Sequence, residues 1–477
     1  MFGKKAGTEE LEAFYPIRPE CVAEIPKTRF KPRVCIIYSS LPLLKFLFHS
    51  VCNPCFLLDV YQFVGHALAI LINCIRQGKL SVQEDGMRYS LKPVAWILQK
   101  FLDGSKEGRL WSSKLAHIIL RKFELGIHPS IKGLVWEFLL GCYNPNSTLE
   151  DRNQLRQQRR ERYSMWKTEC QNMVSVIGSG NFITTPIITD DGQPIEVEGC
   201  RMTSAVSDKK VAQWMLILHQ IGLDVVRTDR ALAFYEDKAN QAKLWDVLSI
   251  YSWVDDDIGY VQAGMNDICS PMVILLENEA DAFWCFERAM RRLRENFRCS
   301  TTSIGVQSQL GTLSQVIKTV DPQLHKHLED LDGGEYLFAF RMLMVLFRRE
   351  FSFVDALYLW EVMWAMEYNP NIFWSYEQPD GASDSNSVQL NQKMLKQYGK
   401  FQRKNMETGY ADKNNALAVF LVASVLETKN KRILKEAKGL DDVVSILGDI
   451  TGNLDAKKAC QEALKLQNKY LKKAKRP

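Results

Sequence analysis

The sequence predicts an all-α protein, and three observations carry that expectation. From residue 209 to 368 apolar side chains recur at i, i+3 and i+4, as in Trp214, Ile217 and Leu218, or Leu337, Phe340, Met344 and Phe347. That spacing lines one face of a helix. Stop signals punctuate the pattern at Gly333-Gly334 and Asn369-Pro370. Further helical stretches follow at 416–426, which is apolar, and at 441–447, which Asp441 or Asp442 is placed to cap.

Taken in order, residues 1–33 are punctuated by proline (Tyr15-Pro16-Ile17-Arg18-Pro19 and Lys31-Pro32-Arg33), which predicts a disordered, extended arm without an apolar leader. Residues 34–119 form an atypical segment. Its apolar part, 34–75, carries only Lys45 and Asp59 as charges. The piece 56–75 has the length of a membrane span, but Asp59, Gln62, His66 and Asn73 make it a poor one, so buried or interfacial helices, or a segment that never folds properly, are the stronger expectation. Cys52-Asn53-Pro54-Cys55 with His49 and His66 imitates zinc spacing too irregularly to predict a metal site. Residues 120–470 read as one helical domain. Within it lies an insertion at about 150–210. The insertion opens with a basic helix (Arg152, Arg156, Arg159, Arg160, Arg162 and Lys167) expected to be a solvated face, and 177–200 follow as a glycine- and proline-rich loop or small hairpin. Asp255-Asp256-Asp257 suits a turn and a helix N-terminus better than a metal. Arg288, Arg291, Arg292, Arg294 and Arg298 read as a solvated basic face, and the tryptophans as core. Residues 377–390 read as a linker, and the lysine-rich end, 465–477, as a fraying helix.

Composition excludes several functions. A net charge of +5 over 477 residues, with no nucleic-acid-binding motif, argues against nucleic acid. Twelve scattered cysteines indicate a reduced, intracellular chain rather than a disulfide framework. There is no G-x-x-x-x-G-K-[ST], H-E-x-x-H or G-x-S-x-G pattern, so no self-contained active site is expected.

Two short polar signatures carry chemistry instead. Ile221-Gly222-Leu223-Asp224-Val225-Val226-Arg227 offers an arginine with an aspartate three residues before it, on the same face if helical. Tyr260-Val261-Gln262 offers a glutamine. A guanidinium is permanently charged and grips phosphoryl oxygens with a planar fork. A carboxamide donates to and accepts from one water at once. Those are the two side-chain types that speed GTP hydrolysis.

With residues 126–136 (Gly-Ile-His-Pro-Ser-Ile-Lys-Gly-Leu-Val-Trp), 221–228 and 260–265, and with Arg348-Arg349-Glu350-Phe351 and Leu359-Trp360, the chain resembles the TBC domain of Rab GTPase-activating proteins over residues 120–450. The arm from Tyr15 to Arg33 and the insertion resemble plant members. The resemblance implies a multi-helix TBC domain, with a helical C-terminal part, that docks on a GTP-bound Rab. Arg227 would be the arginine finger and Gln262 the glutamine finger, both acting in trans. Asp224, Tyr260, Lys132 and Trp136 would support them. It also implies no cofactor or metal of the chain's own, since GTP and Mg²⁺ belong to the partner. It further implies a role in vesicle trafficking, and a cytoplasmic location with peripheral endomembrane contact.

The chain departs from the family pattern in three places. Lys132 stands where the family has arginine, four residues before Trp136. Ala263 is an extra residue between Gln262 and Gly264-Met265; within a helix it would rotate its neighbours by about 100°. If the helix starts after Gly264, the loop absorbs it. If not, the alternative is a catalytically impaired Rab-binding adaptor. Residues 34–125 lack the family's polar lead-in and are expected to be a gene-model read-through, an anchor or a distinct folded segment.

Overall fold

The computed structural model describes Tyr15, Arg18, residues 83–84, 87–88, 127, 129–145, 147–196, 208–262, 264–298, 305–369, 371–377, 403, 405–406, 417–449 and 455–474. In chain order the helices are α1 (Pro129–Leu139), α2 (Leu149–Met173), α3 (Lys209–Arg227), α4 (Lys238–Val254), α5 (Met265–Leu275), α6 (Glu279–Phe297) and α7 (Gly305–Val320). They continue as α8 (Pro322–Asp330), α9 (Phe340–Met344), α10 (Phe353–Glu367), α11 (Ile372–Glu377), α12 (Leu417–Glu436), α13 (Leu440–Gly448) and α14 (Ala456–Ala474). Two 3₁₀ turns, Ala233–Glu236 and Leu337–Ala339, join them. The one extended pairing of named strands among the described residues is a two-residue antiparallel ladder, Gln83 with Arg88 and Glu84 with Met87. The all-α expectation therefore holds.

Many helix starts follow from local chemistry. Thr148 and Asp151 close a reciprocal capping box on α2: Asp151 N–H donates to Thr148 Oγ1 at 3.1 Å and Thr148 N–H to Asp151 Oδ2 at 2.8 Å. Asp208, Asp237 and Asn278 cap α3, α4 and α6 by accepting from a backbone N–H two residues on. Helix α13 differs from expectation. Its N-cap is Gly439, and Asp441 and Asp442 lie in its first turn, where they suit the helix dipole.

The first half of the fold is built around α4, which packs on α2, α3, α5 and α6. Helix α5 also touches α1 and α3, and α6 leads on to α7. In the second half α12, α14 and α7 pack together, and α10 joins α1 to α14. Helix α10 is buried nearly all round, from Phe353 to Met366. Trp136, Trp245 and Trp360 are wholly buried, as expected of core tryptophans, whereas Trp374 is half-exposed.

Charge is where the fold departs most from the expected pattern. The basic face of α2 is not simply solvated. Arg159 is buried, donating to Cys142 O at 2.5 Å and Glu377 at 2.6 Å. Arg160 binds Asp281 through two N–H groups, at 3.1 and 2.6 Å. Lys167 reaches Asp246 at 2.8 Å and Glu279 at 2.6 Å. The arginines of α6 are likewise engaged. Arg288 is buried against Glu377, and Arg294 holds Asp255 and Asp257, each at 2.8 Å. Asp255 closes α4 as its C-cap rather than opening a helix. Desolvated arginines need partners, and those partners come from distant positions in the chain.

The glycine-rich stretch after α2 forms a small hairpin-like turn, with Ile188 bridging Pro194 and Ile195 N–H donating to Ile187 O at 2.8 Å. Of the arm, Tyr15 and Arg18 are described. Tyr15 is buried with its ring 5.1 Å from that of Phe353, and Arg18 N–H donates to Ala231 O at 2.8 Å. Helix α14 runs to Ala474, and Lys473 Nζ donates to Thr319 O at 3.1 Å, so most of the lysine-rich end is helical. The apolar segment 34–75, the zinc-like Cys52–Cys55 pattern and the linker after Glu377 lie outside the described residues.

Candidate functional site

Helix α3 delivers the first signature. Its apolar face (Val211, Trp214, Met215, Leu218, Ile221 and Val225) is buried. Two indoles lock it to α4: Trp214 Nε1 donates to Ser249 O and Trp245 Nε1 to Leu218 O, both at 3.0 Å. Gly222 lets α3 seat on the preceding loop, because a Cβ there would lie 1.7 Å from Ile183 O. Arg227 is the last residue of the helix, where a cation also suits the dipole.

The second signature lies in the loop between α4 and α5. Gly264 caps α5 with φ +118°, a conformation that glycine alone adopts readily, and a Cβ there would come within 2.1 Å of Val345 Cγ1. The helix thus begins at Met265, after the glycine, and Gln262 lies in the loop. Ala263 itself lies outside the described residues.

The two signatures meet on one buried carboxylate. Asp224 is 1% exposed, whereas Arg227 beside it is 62% exposed. Asp224 Oδ1 accepts from Arg227 Nη2 and, at 3.3 Å, from Gln262 Nε2. Its other oxygen, Oδ2, accepts from the buried Tyr260 hydroxyl at 2.5 Å. Burial first, and then the charge of Asp224, hold the Tyr260 phenol well above its ordinary range, so it stays a donor. This arrangement fixes an exposed guanidinium and a carboxamide side by side, with donors left over on both.

Around this group stand residues that the sequence did not single out as site residues. Thr228 Oγ1 donates to Asp224 O at 2.6 Å and accepts from Asn266 Nδ2 at 2.8 Å. Asp229 pairs with Arg348, and Asp267 with Arg349 Nη2 at 2.6 Å. The signal for the basic partners was that Arg348-Arg349-Glu350-Phe351 is one of the stretches that resemble the family. The acids carried none.

Lys132 and Trp136 are not part of this group. Both donate to Glu361 Oε1, Trp136 Nε1 at 3.2 Å, and Ile127 N–H donates to Glu361 Oε2 at 3.1 Å. They pin α1 to α10. A Cβ on neighbouring Gly133 would lie 2.8 Å from Leu275 O, at the end of α5 opposite Gln262. Their contribution runs through the core. Among the described residues no group of side chains could hold a metal ion, and no helix is long and apolar enough to cross a membrane.

The family profile described as the Rab-GTPase-TBC domain matches residues 129–375, more than half of the chain and the whole of this site. The chain belongs to that family. The TBC chain is 30% identical over 337 residues to Rab GTPase-activating protein 22 of Arabidopsis thaliana, a match covering 50% of the chain and 60% of that relative. It is 32% identical over 268 residues to TBC1 domain family member 17 of Homo sapiens, covering 56% of the chain and 36% of that relative. The TBC chain thus spans less than two thirds of these relatives' lengths. Its fold resembles the crystal structure of the Ypt/Rab-GAP domain of Gyp1p, with a TM-score of 0.52 at 18% identity over 79% of this chain and 99% of that one.

Proposed function

We propose that this TBC protein accelerates GTP hydrolysis by a GTP-bound Rab GTPase, with Arg227 and Gln262 entering the partner's nucleotide site as paired fingers. The observation that carries the reading is that two residues 35 positions apart share Asp224 Oδ1, one through an ion pair and one through a 3.3 Å hydrogen bond. A buried carboxylate bonded on both oxygens costs desolvation, which these partners offset. The result is preorganisation. The guanidinium is held ready to neutralise charge developing on the transferring phosphoryl, and the carboxamide to orient the attacking water.

On this reading the reacting site is completed by the partner. GTP and its Mg²⁺ belong to the partner, and the protein acts as an activator, in the cytoplasm and in peripheral contact with endomembranes, on vesicle traffic. Lys132 and Trp136 support the reaction only by fixing α1 in the core. The position of Gln262 ahead of the αL glycine, and on Asp224, favours an active protein over an impaired adaptor. An arginine finger is worth about 10³–10⁵ in rate, or roughly 4–7 kcal/mol. Single-turnover GTP hydrolysis across a panel of Rab proteins tests the reading. At least one Rab is expected to be accelerated, and Arg227→Ala and Gln262→Ala should each remove most of the effect. No acceleration of any Rab, or full activity in Arg227→Ala, would refute it.

A further inference from the structure

Immediately after Arg227 the chain reverses direction. Asp229 makes the reversal in a left-handed conformation, φ +44°. Aspartate tolerates that region better than most residues, but something must hold it there. Two side chains do. Arg348 Nη2 donates to Asp229 Oδ1, and Ser270 Oγ donates to Oδ2 at 2.6 Å.

Arg348 arrives by an unusual route. The two residues before it, Leu346 and Phe347, both have positive φ, +48° and +60°. Consecutive bulky residues in that region are rare, and they persist only where the surroundings over-determine them. Here Trp360 Nε1 donates to Leu346 O, and Phe347 N–H donates to Met342 O, both at 2.8 Å. The guanidinium of Arg348 then stacks on the Phe353 ring at 4.9 Å. What the strained turn achieves is a buried arginine set against the residue that ends the finger segment. With its side chain only 9% exposed, Arg348 is shielded from a docked partner.

We infer that Arg348 is a positioning residue for the arginine finger, fixing through Asp229 the backbone from which Arg227 projects. The inference rests on the GTPase-activating reading and adds to it a residue that acts without touching the partner. Loss of an ion pair that merely stabilised the fold would lower the melting temperature and leave the folded protein's rate alone. Loss of a positioning residue lowers the rate at saturating partner and leaves partner binding alone.

The test uses the full chain as wild type, Arg348→Met, Arg348→Lys and Ser270→Ala. It measures kcat and KM for a GTP-loaded Rab, and backbone amide exchange over residues 226–231. Arg348→Met is expected to lower kcat about 10- to 100-fold with KM changed less than about threefold, while exchange at 226–231 rises about tenfold and exchange in α12 does not. Arg348→Lys should recover part of kcat, because an ammonium reaches Asp229 but lacks the planar fork. Should Arg348→Met fail to fold, Ser270→Ala removes only the Oδ2 bond and should move kcat and exchange in the same direction. A folded variant with unchanged kcat, or unchanged exchange at 226–231, overturns the inference. If wild type accelerates no Rab, the GTPase-activating reading fails on its own, and the exchange measurement alone then decides whether Arg348 holds the segment.

Discussion

Asp224 does for the site what neither proposed finger, Arg227 or Gln262, does for itself. Arg227 alone would be a mobile surface side chain, and Gln262 alone a loop amide. The buried carboxylate takes bonds from both and from Tyr260. Replacing it with alanine strands the Tyr260 hydroxyl and frees the fingers together. Asp224→Ala should therefore lower the stimulated rate by about 10²-fold. It should also destabilise the fold by about 1–3 kcal/mol, since a buried donor is left unpaired. Single-turnover rates and thermal melts read these separately. A variant with wild-type rate would show that the fingers do not depend on Asp224. The importance of Asp224 was only half legible in the sequence. Its spacing from Arg227 was visible, but its burial depends on a tyrosine 36 positions later in a different element.

At the scale of elements, the site depends on where α5 begins. The sequence left open whether the extra residue at 263 rotates Gln262 out of place. The structure starts α5 at Met265 behind an αL glycine, so Gln262 stays in the loop and on Asp224. Gly264→Ala would put a Cβ 2.1 Å from Val345 Cγ1 at φ +118°. The expected result is a loss of about 1–3 kcal/mol in stability from backbone strain. The glutamine-dependent rate should fall by tenfold or more, on the order of what an ångström of misplacement costs. Equal rates for Gly264→Ala and wild type would show that the glycine cap does not set the geometry of Gln262. The arginines of α2 and α6 carry the complementary lesson. Their charge was legible and their burial was not, because Asp255, Asp281 and Glu377 reach them only once the helices have packed.

Across the whole molecule, the helical class and the main helices were readable from apolar spacing, because that spacing reports burial on one face whatever the partner. The long-range ion pairs that stitch the helices together were not readable. One of them makes stability depend on pH. Asp246 on α4 receives Lys167 from α2 at 2.8 Å and is almost fully buried. Burial, opposed by Lys167, raises its carboxyl from 3.8 to about 6. Between about pH 4 and 6 the folded chain therefore keeps a proton that the unfolded chain has released, so this group's contribution to stability falls as pH rises through that window. A shift of about two units corresponds to about 3 kcal/mol at most. Asp246→Asn should remove that falling contribution, so the change in melting temperature from pH 4.5 to 6.5 should be more positive for the variant than for wild type. Identical pH dependence in the two proteins would assign the slope elsewhere.

In the proposed reaction this chain supplies a glutamine, as well as an arginine, to its partner's GTP. The most direct measurement is stimulated single-turnover GTP hydrolysis by a Rab whose own water-orienting glutamine has been changed to alanine. If Gln262 takes over that role, wild-type protein should still accelerate this Rab, and Gln262→Ala should not. If the altered Rab fails to respond while the unaltered Rab responds, Gln262 does not act in trans, and the two-finger account is contradicted.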